Sequence, residues 1–129
     1  DQAFRAAYSL LERLGSLDGS SRAEDQFVRG SDSNSIKATL ELSRDEWPAP
    51  NLWTGAVPFY GSTAIALVGT PEEVARALMK YREAGVSQFI LSGWPKLDSM
   101  RFFGREILPL VRAKEGLYRQ QLSATFGEQ

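Results

Sequence analysis

The chemistry open to this chain is narrowed first by two residue types it lacks. Its 129 residues include no histidine and no cysteine. Histidine-dependent triads, thiolate nucleophiles, cysteine zinc sites, Fe–S clusters and disulfides therefore have no residues to build them, and no metal site is expected. Catalysis must run through carboxylates, tyrosine, lysine, arginine or a bound cofactor. Gly69-Thr70-Pro71 opens a helix whose first N–H groups could hold a phosphate. Thr70 and Glu73, however, sit at the N-cap and third helical positions, where a capping box uses the same donors. Glu72, Glu73, Arg76 and Lys80 are spaced as a solvated helix face with i,i+4 pairs, not as a carboxylate pair for acid–base work.

Charge narrows the partners. Fifteen basic residues stand against 16 acidic ones, a net charge of -1. With no run of five like charges, there is no general electrostatic attraction to nucleic acid or an anionic membrane. No apolar run approaches the roughly 18 to 20 residues of a membrane helix, and the N-terminus lacks the basic-then-apolar order of a signal peptide. A cytoplasmic location is expected. The composition, 43% hydrophobic and 24% charged, is that of an ordinary soluble domain. The chain starts at Asp1 without an initiator methionine, as the later part of a longer protein would.

The elements that must position any site follow from periodicity. Phe4, Ala7, Tyr8, Leu11 and Leu14 recur at helical spacing and end at Gly15. Residues 16–34 read as a mobile connection, with one short helix around Arg22 to Val28. Ile36, Ala38, Leu40 and Leu42 alternate as in a strand, although 37–42 also suits a helical turn or two. Trp47-Pro48-Ala49-Pro50 stops any regular element. A strand is expected over 62–68. A helix follows from Pro71 to about Ala84, burying Val74, Ala77, Leu78 and Tyr81, with Gly85 as its left-handed C-cap. A second strand is expected over 86–92. A last helix starts near Leu97, with Met100, Phe103, Ile107 and Leu110 on one face, Phe102 also in the core, and Pro109 kinking or ending it. Strand, capped helix, strand, helix is the βαβα order of a parallel sheet, so the fold class is α/β. Two or three strands are too few for such a sheet, which reads as part of a larger one.

The run Ala66-Leu67-Val68-Gly69-Thr70-Pro71-Glu72-Glu73-Val74-Ala75, with Tyr81, Ala84-Gly85-Val86 and Phe89-Ile90-Leu91-Ser92-Gly93-Trp94-Pro95 after it, resembles the C-terminal end of the bacterial luciferase-like flavin monooxygenases. Within them it is most similar to the alkanesulfonate monooxygenase group, which carries an Asn-Leu-Trp like Asn51-Leu52-Trp53 at this distance upstream. The resemblance is close over residues 47 to 112 and looser over Phe4 to Leu14. It implies the C-terminal part of a (β/α)8 TIM barrel, a fold of about 250 residues, with the last two βα units plus the preceding helix and loop present here. Residues 1–50 would then be a helix and a connecting or insertion segment, 51–116 the two βα units, and 117–129 a tail.

The resemblance also implies a two-component chemistry. A separate NAD(P)H:flavin reductase supplies reduced FMN, O2 adds to it, and the flavin peroxide oxygenates a small organic substrate, organosulfur compounds being one candidate class. The full-length protein is expected to be a homo-oligomer, and this portion alone to be inactive. In a barrel, reacting groups sit at the C-terminal ends of strands, which places Ser92, Gly93, Trp94 and Lys96 at the site. Trp94 and Lys96 are the candidate catalytic residues, and Tyr60, Ser92, Gly93 and Arg44 the candidate pocket residues. The sulfonate group usually has tyrosine at the position of Trp94, histidine at that of Lys96 and arginine at that of Tyr60. An indole N–H only donates, Lys96 can bind an anion, and a tyrosine is a weak substitute for an arginine fork. The sulfonate substrate is therefore open. Gly93 and Pro95 making a simple turn, with Trp94 filling a gap, and Arg44 lying on a solvated surface, remain the plainer readings. Asn51 is expected to tie a loop and Trp53 to pack inside the barrel. Two other functions stay open: an F420-dependent oxidoreductase of the same barrel superfamily, and a non-catalytic α/β interaction module that closes its own sheet.

Overall fold

A computed structural model describes residues 2–15, 30 and 32–126. The connection and short helix expected within 16–34 lie largely outside the described residues, with only 30 and 32–34 inside them. The chain divides into two compact units, Asp1–Gly69 and Thr70–Gln129. It is mostly helical, with one small two-stranded sheet, and no helix among the described residues is long and apolar enough to cross a membrane.

In the first unit, α1 (Gln2–Gly15) places Ala7 in a core with Trp53, Ala56 and Val68. Trp53 is 2% exposed, and its indole N–H donates to Glu46 Oε1 at 3.0 Å. Trp47 stacks at a tilt between Phe4 and Trp53, with ring centroids 5.0 and 6.4 Å away, and its N–H donates to the Tyr8 hydroxyl at 3.3 Å. A Cβ on Gly55 would come within 2.6 Å of the Trp53 indole nitrogen, so this glycine makes room for the ring that closes the core.

The alternating segment 36–42 is helical: α2 runs Asn34–Leu42. Its half-buried positions are Ile36, Thr39 and Leu40, a helical spacing, whereas Ala38 and Leu42 are exposed. The Thr39 hydroxyl donates to the Ser35 carbonyl one turn back. The strand expected over 62–68 is shorter than its sequence suggests. After the helical turn α3 (Val57–Tyr60), a 3-10 turn occupies Gly61–Ala64, and only Ala66–Leu67 forms strand β2. It pairs antiparallel, not parallel, with β1 (Leu52–Trp53), Leu52 opposite Leu67 and Trp53 opposite Ala66. The ladder stops because Thr54 turns away: its N–H donates to the Glu46 carbonyl and its buried hydroxyl to the Asp45 carbonyl at 2.7 Å.

In the second unit, α4 (Pro71–Glu83) starts with the expected capping box: Glu73 N–H donates to Thr70 Oγ1 and Thr70 N–H to Glu73 Oε2. Val74, Ala75, Ala77, Leu78 and Met79 are buried, while Tyr81 is exposed, and Gly85 takes φ +98° just past the end. The segment 86–92, expected as a strand, joins no ladder among the described residues. Val86 N–H donates to the Tyr81 carbonyl, and from Ser87 to Ser92 the main chain meets no hydrogen-bond partner among the described residues. A strand exists only where a neighbour supplies the ladder. Then α5 (Lys96–Phe102) leads through a π turn (Phe103–Ile107) into α6 (Leu108–Phe126). Met100 and Phe102 are exposed, against expectation, and Ile107 is the buried anchor. Pro109 does not end the helix, because the ladder shifts to five-residue spacing just before it, with Leu108 N–H bonded to the Phe103 carbonyl. Residues 117–126, read as tail, continue α6.

Two substitutions separate these supports. Trp53→Ala should cost about 3–5 kcal/mol in urea unfolding, from cavity formation in the first core. Thr70→Ala should cost about 1 kcal/mol and lower helicity by circular dichroism, from the lost cap.

Candidate functional site

Ser92, Gly93, Trp94 and Lys96 end the segment 86–92 and enter α5 together. The turn is tight. A Cβ on Gly93 would run into the Ser99 side chain, and Ser99 N–H donates to the Pro95 carbonyl at 3.0 Å. Glycine at 93 thus lets the first turn of α5 fold back over the strand end. Trp94 is 62% exposed, and Ser92 and Lys96 are also exposed. The arrangement presents one flat aromatic face and one cation on the same turn, both open to a ligand.

The other two expected site residues belong to the first unit. Tyr60 ends α3 with its ring half exposed. Arg44 is bound at 2.7 Å to Glu41, one turn earlier, with both side chains largely exposed. It is therefore a surface arginine with a local partner. Arg44 and Tyr60 share no hydrogen bond among the described residues. Asn51 has φ +65°, and it exchanges two bonds with Val68: its side-chain amide donates to the Val68 carbonyl at 3.0 Å, and Val68 N–H donates to its carbonyl at 2.8 Å. It ties the loop to the end of β2.

Beneath the segment 86–92 lies an apolar hollow of about 240 Å³, lined by Leu78, Met79 and Arg82 of α4, Phe89 and Leu91 of the segment, and Phe103, Leu108 and Val111. Phe89 and Leu91 are two residues apart and share the face toward the helices, while Ile90 between them is fully exposed. Arg82 closes one end. Its Nε lies 3.4 Å from Glu115 Oε1, and its guanidinium stands 5.9 Å over the Tyr118 ring. Arg119 reaches the same Glu115 oxygen at 3.1 Å. The hydrogen bond from Arg119, then the two guanidinium charges, hold the Glu115 carboxyl below its ordinary range. The sequence reading passed over Arg82 and Glu115. The i,i+4 spacing of Glu115 and Arg119 was the available signal, hidden because the last turns of α6 read as a tail.

Because its folded pKa is depressed, Glu115 contributes stability that is full above its unfolded value near 4.5 and is lost as pH falls through the folded value. Glu115→Gln should flatten the acid arm of a urea-midpoint profile, leaving the smaller slope that the Thr70-bonded Glu73 supplies. Superimposable profiles for the two proteins would show that the network does not support the fold. No family model matches the chain, and no solved structure matches it.

Proposed function

We propose that the chain supplies the last two βα units, with the preceding helix and loop, of a luciferase-like (β/α)8 flavin monooxygenase. In this reading it works in the cytoplasm with reduced FMN from an NAD(P)H:flavin reductase, and it acts on a small organic substrate, with organosulfur compounds among the open classes. The observation that carries the proposal is the segment 86–92. Its Phe89 and Leu91 line the hollow beside the helices, Ile90 between them is fully exposed, and Trp94 and Lys96 follow at its C-terminal end. A barrel strand has this arrangement: one face on the helical layer, the other toward the barrel interior, and the reacting groups at its end.

The residues present fit one wall of a flavin site. The Trp94 indole can stack on an isoalloxazine ring, and Lys96 can pair with its phosphate. Neither lines the 240 Å³ hollow or the open groove of about 300 Å³ between α4 and α6. Bound reduced FMN supplies the activation of O2. Trp94 would orient the ring and keep water from it, and Lys96 would hold an anion.

Titrating the chain into FMN and following flavin fluorescence tests this. A single exposed wall should give weak, non-saturating quenching at micromolar protein, reduced further by Trp94→Ala. Tight stoichiometric binding by the chain alone would overturn the partial-barrel reading, and quenching indifferent to Trp94 would overturn the assigned wall.

A further inference from the structure

We infer that the open groove between α4 and α6 is a docking site for an acidic peptide segment of a partner protein, one that carries an apolar anchor between its carboxylates. The inference goes beyond the flavin reading and does not rest on it: neither Trp94, Lys96 nor any residue of 86–92 lines the groove. Arg76, Met79 and Lys80 line it from α4, and Lys114, Leu117 and Tyr118 from α6. Each trio recurs at three- and four-residue spacing and so occupies one face of its helix. In a barrel the helices form the outer ring, so a groove between two of them stays open to a partner when the sheet is complete.

Charge selects the occupant. The stretches Arg76 to Glu83 and Arg112 to Arg119 hold six cations against two carboxylates, Glu83 and Glu115, in a chain whose total is -1. The one carboxylate of α6, Glu115, is shared by Arg82 and Arg119, which leaves the groove cations without it. Arg76, Lys80 and Lys114 make no ion pair among the described residues, and Arg76 acts on Glu73 only as a nearby charge. A carboxylate-bearing partner complements this rim and is steered by it. Shape points to a peptide. The groove is open and about two helical turns long, about 10 Å, too little enclosed to bury a small molecule but suited to a segment laid between two helices. Leu117, 61% exposed beside Lys114, offers the apolar contact that anchors such a segment. With Leu117 and the Glu83 carboxylate in its lining, the groove matches an amphipathic acidic peptide better than a phosphate backbone.

Fluorescence anisotropy tests the assignment, using a fluorescein-labelled, glutamate-rich peptide of about three helical turns with leucines four positions apart. Binding to the whole chain should saturate with a Kd below about 1 mM at low salt, and the Kd should rise with ionic strength. Lys80→Glu and Lys114→Glu should each weaken binding by about threefold or more, and together by about tenfold or more. Leu117→Ser should weaken it by about threefold or more through the lost apolar contact. Arg112→Glu makes the same change of charge on α6 outside the groove lining, and should leave the Kd within about twofold. All four side chains are exposed or half-buried, so far-ultraviolet circular dichroism should be unchanged throughout. An Arg112→Glu effect equal to that of Lys114→Glu would reduce the attraction to overall charge and overturn the proposal. So would a glutamate-serine peptide without leucine binding equally well, single-stranded DNA of equal charge binding as tightly, or no saturation at all.

Discussion

Every residue except proline brings a main-chain donor and acceptor that must be satisfied once water is excluded, and this requirement shapes the described chain. Helices meet it within themselves, which is why α1, α2, α4, α5 and α6 account for most of the described residues. Extended backbone meets it only beside other extended backbone. Two residues, Leu52 and Trp53, find that neighbour in Ala66 and Leu67, and the short ladder ends where Thr54 turns its own groups to Asp45 and Glu46. Residues 87–92 do not find it among the described residues.

The two units solve their packing differently. The first gathers aromatic rings around a small antiparallel clasp. Trp53 is buried with its N–H paired to Glu46, Gly55 leaves room for the ring, and Asn51 locks the loop to Val68. The second is a helical layer held by apolar side chains of α4 and α6 and pinned at one end by Arg82, Glu115 and Arg119. Beside that layer lies the segment 86–92, whose Phe89 and Leu91 line the hollow while every residue of it stays exposed, and the turn after it carries an exposed tryptophan and lysine. An apolar strand of this kind suits a sheet with both faces covered. This feature motivates the partial-barrel reading, which flavin quenching tests.

Part of this organisation was legible in the residues. The capping box of Thr70 and Glu73, the left-handed Gly85 and the amphipathic α1 are set by contacts within one or two turns, so local text sufficed. Ile36 to Leu42 was ambiguous because its apolar residues fit both periods, and packing of Ile36, Thr39 and Leu40 on one face resolved it as a helix. Pro109 misled because its effect depends on the ladder before it, where the π turn absorbs the missing donor. Of the candidate site, Ser92, Gly93, Trp94 and Lys96 occupy one turn, whereas Arg44 is held by Glu41 on the surface.

The sequence by itself determined which chemistries these 129 residues cannot perform, through the absence of histidine and cysteine, and which segments start and stop as helices, because caps and glycine conformations are local. Tertiary structure alone decided the rest. It chose antiparallel pairing for 52–53, shortened the strand expected over 62–68, joined Arg82 to a glutamate 33 positions away, and exposed Met100 and Phe102. The reason is that strands and ion pairs depend on groups distant in the chain. Apolar patterning states that a face must be covered, but only the assembled neighbours determine what covers it.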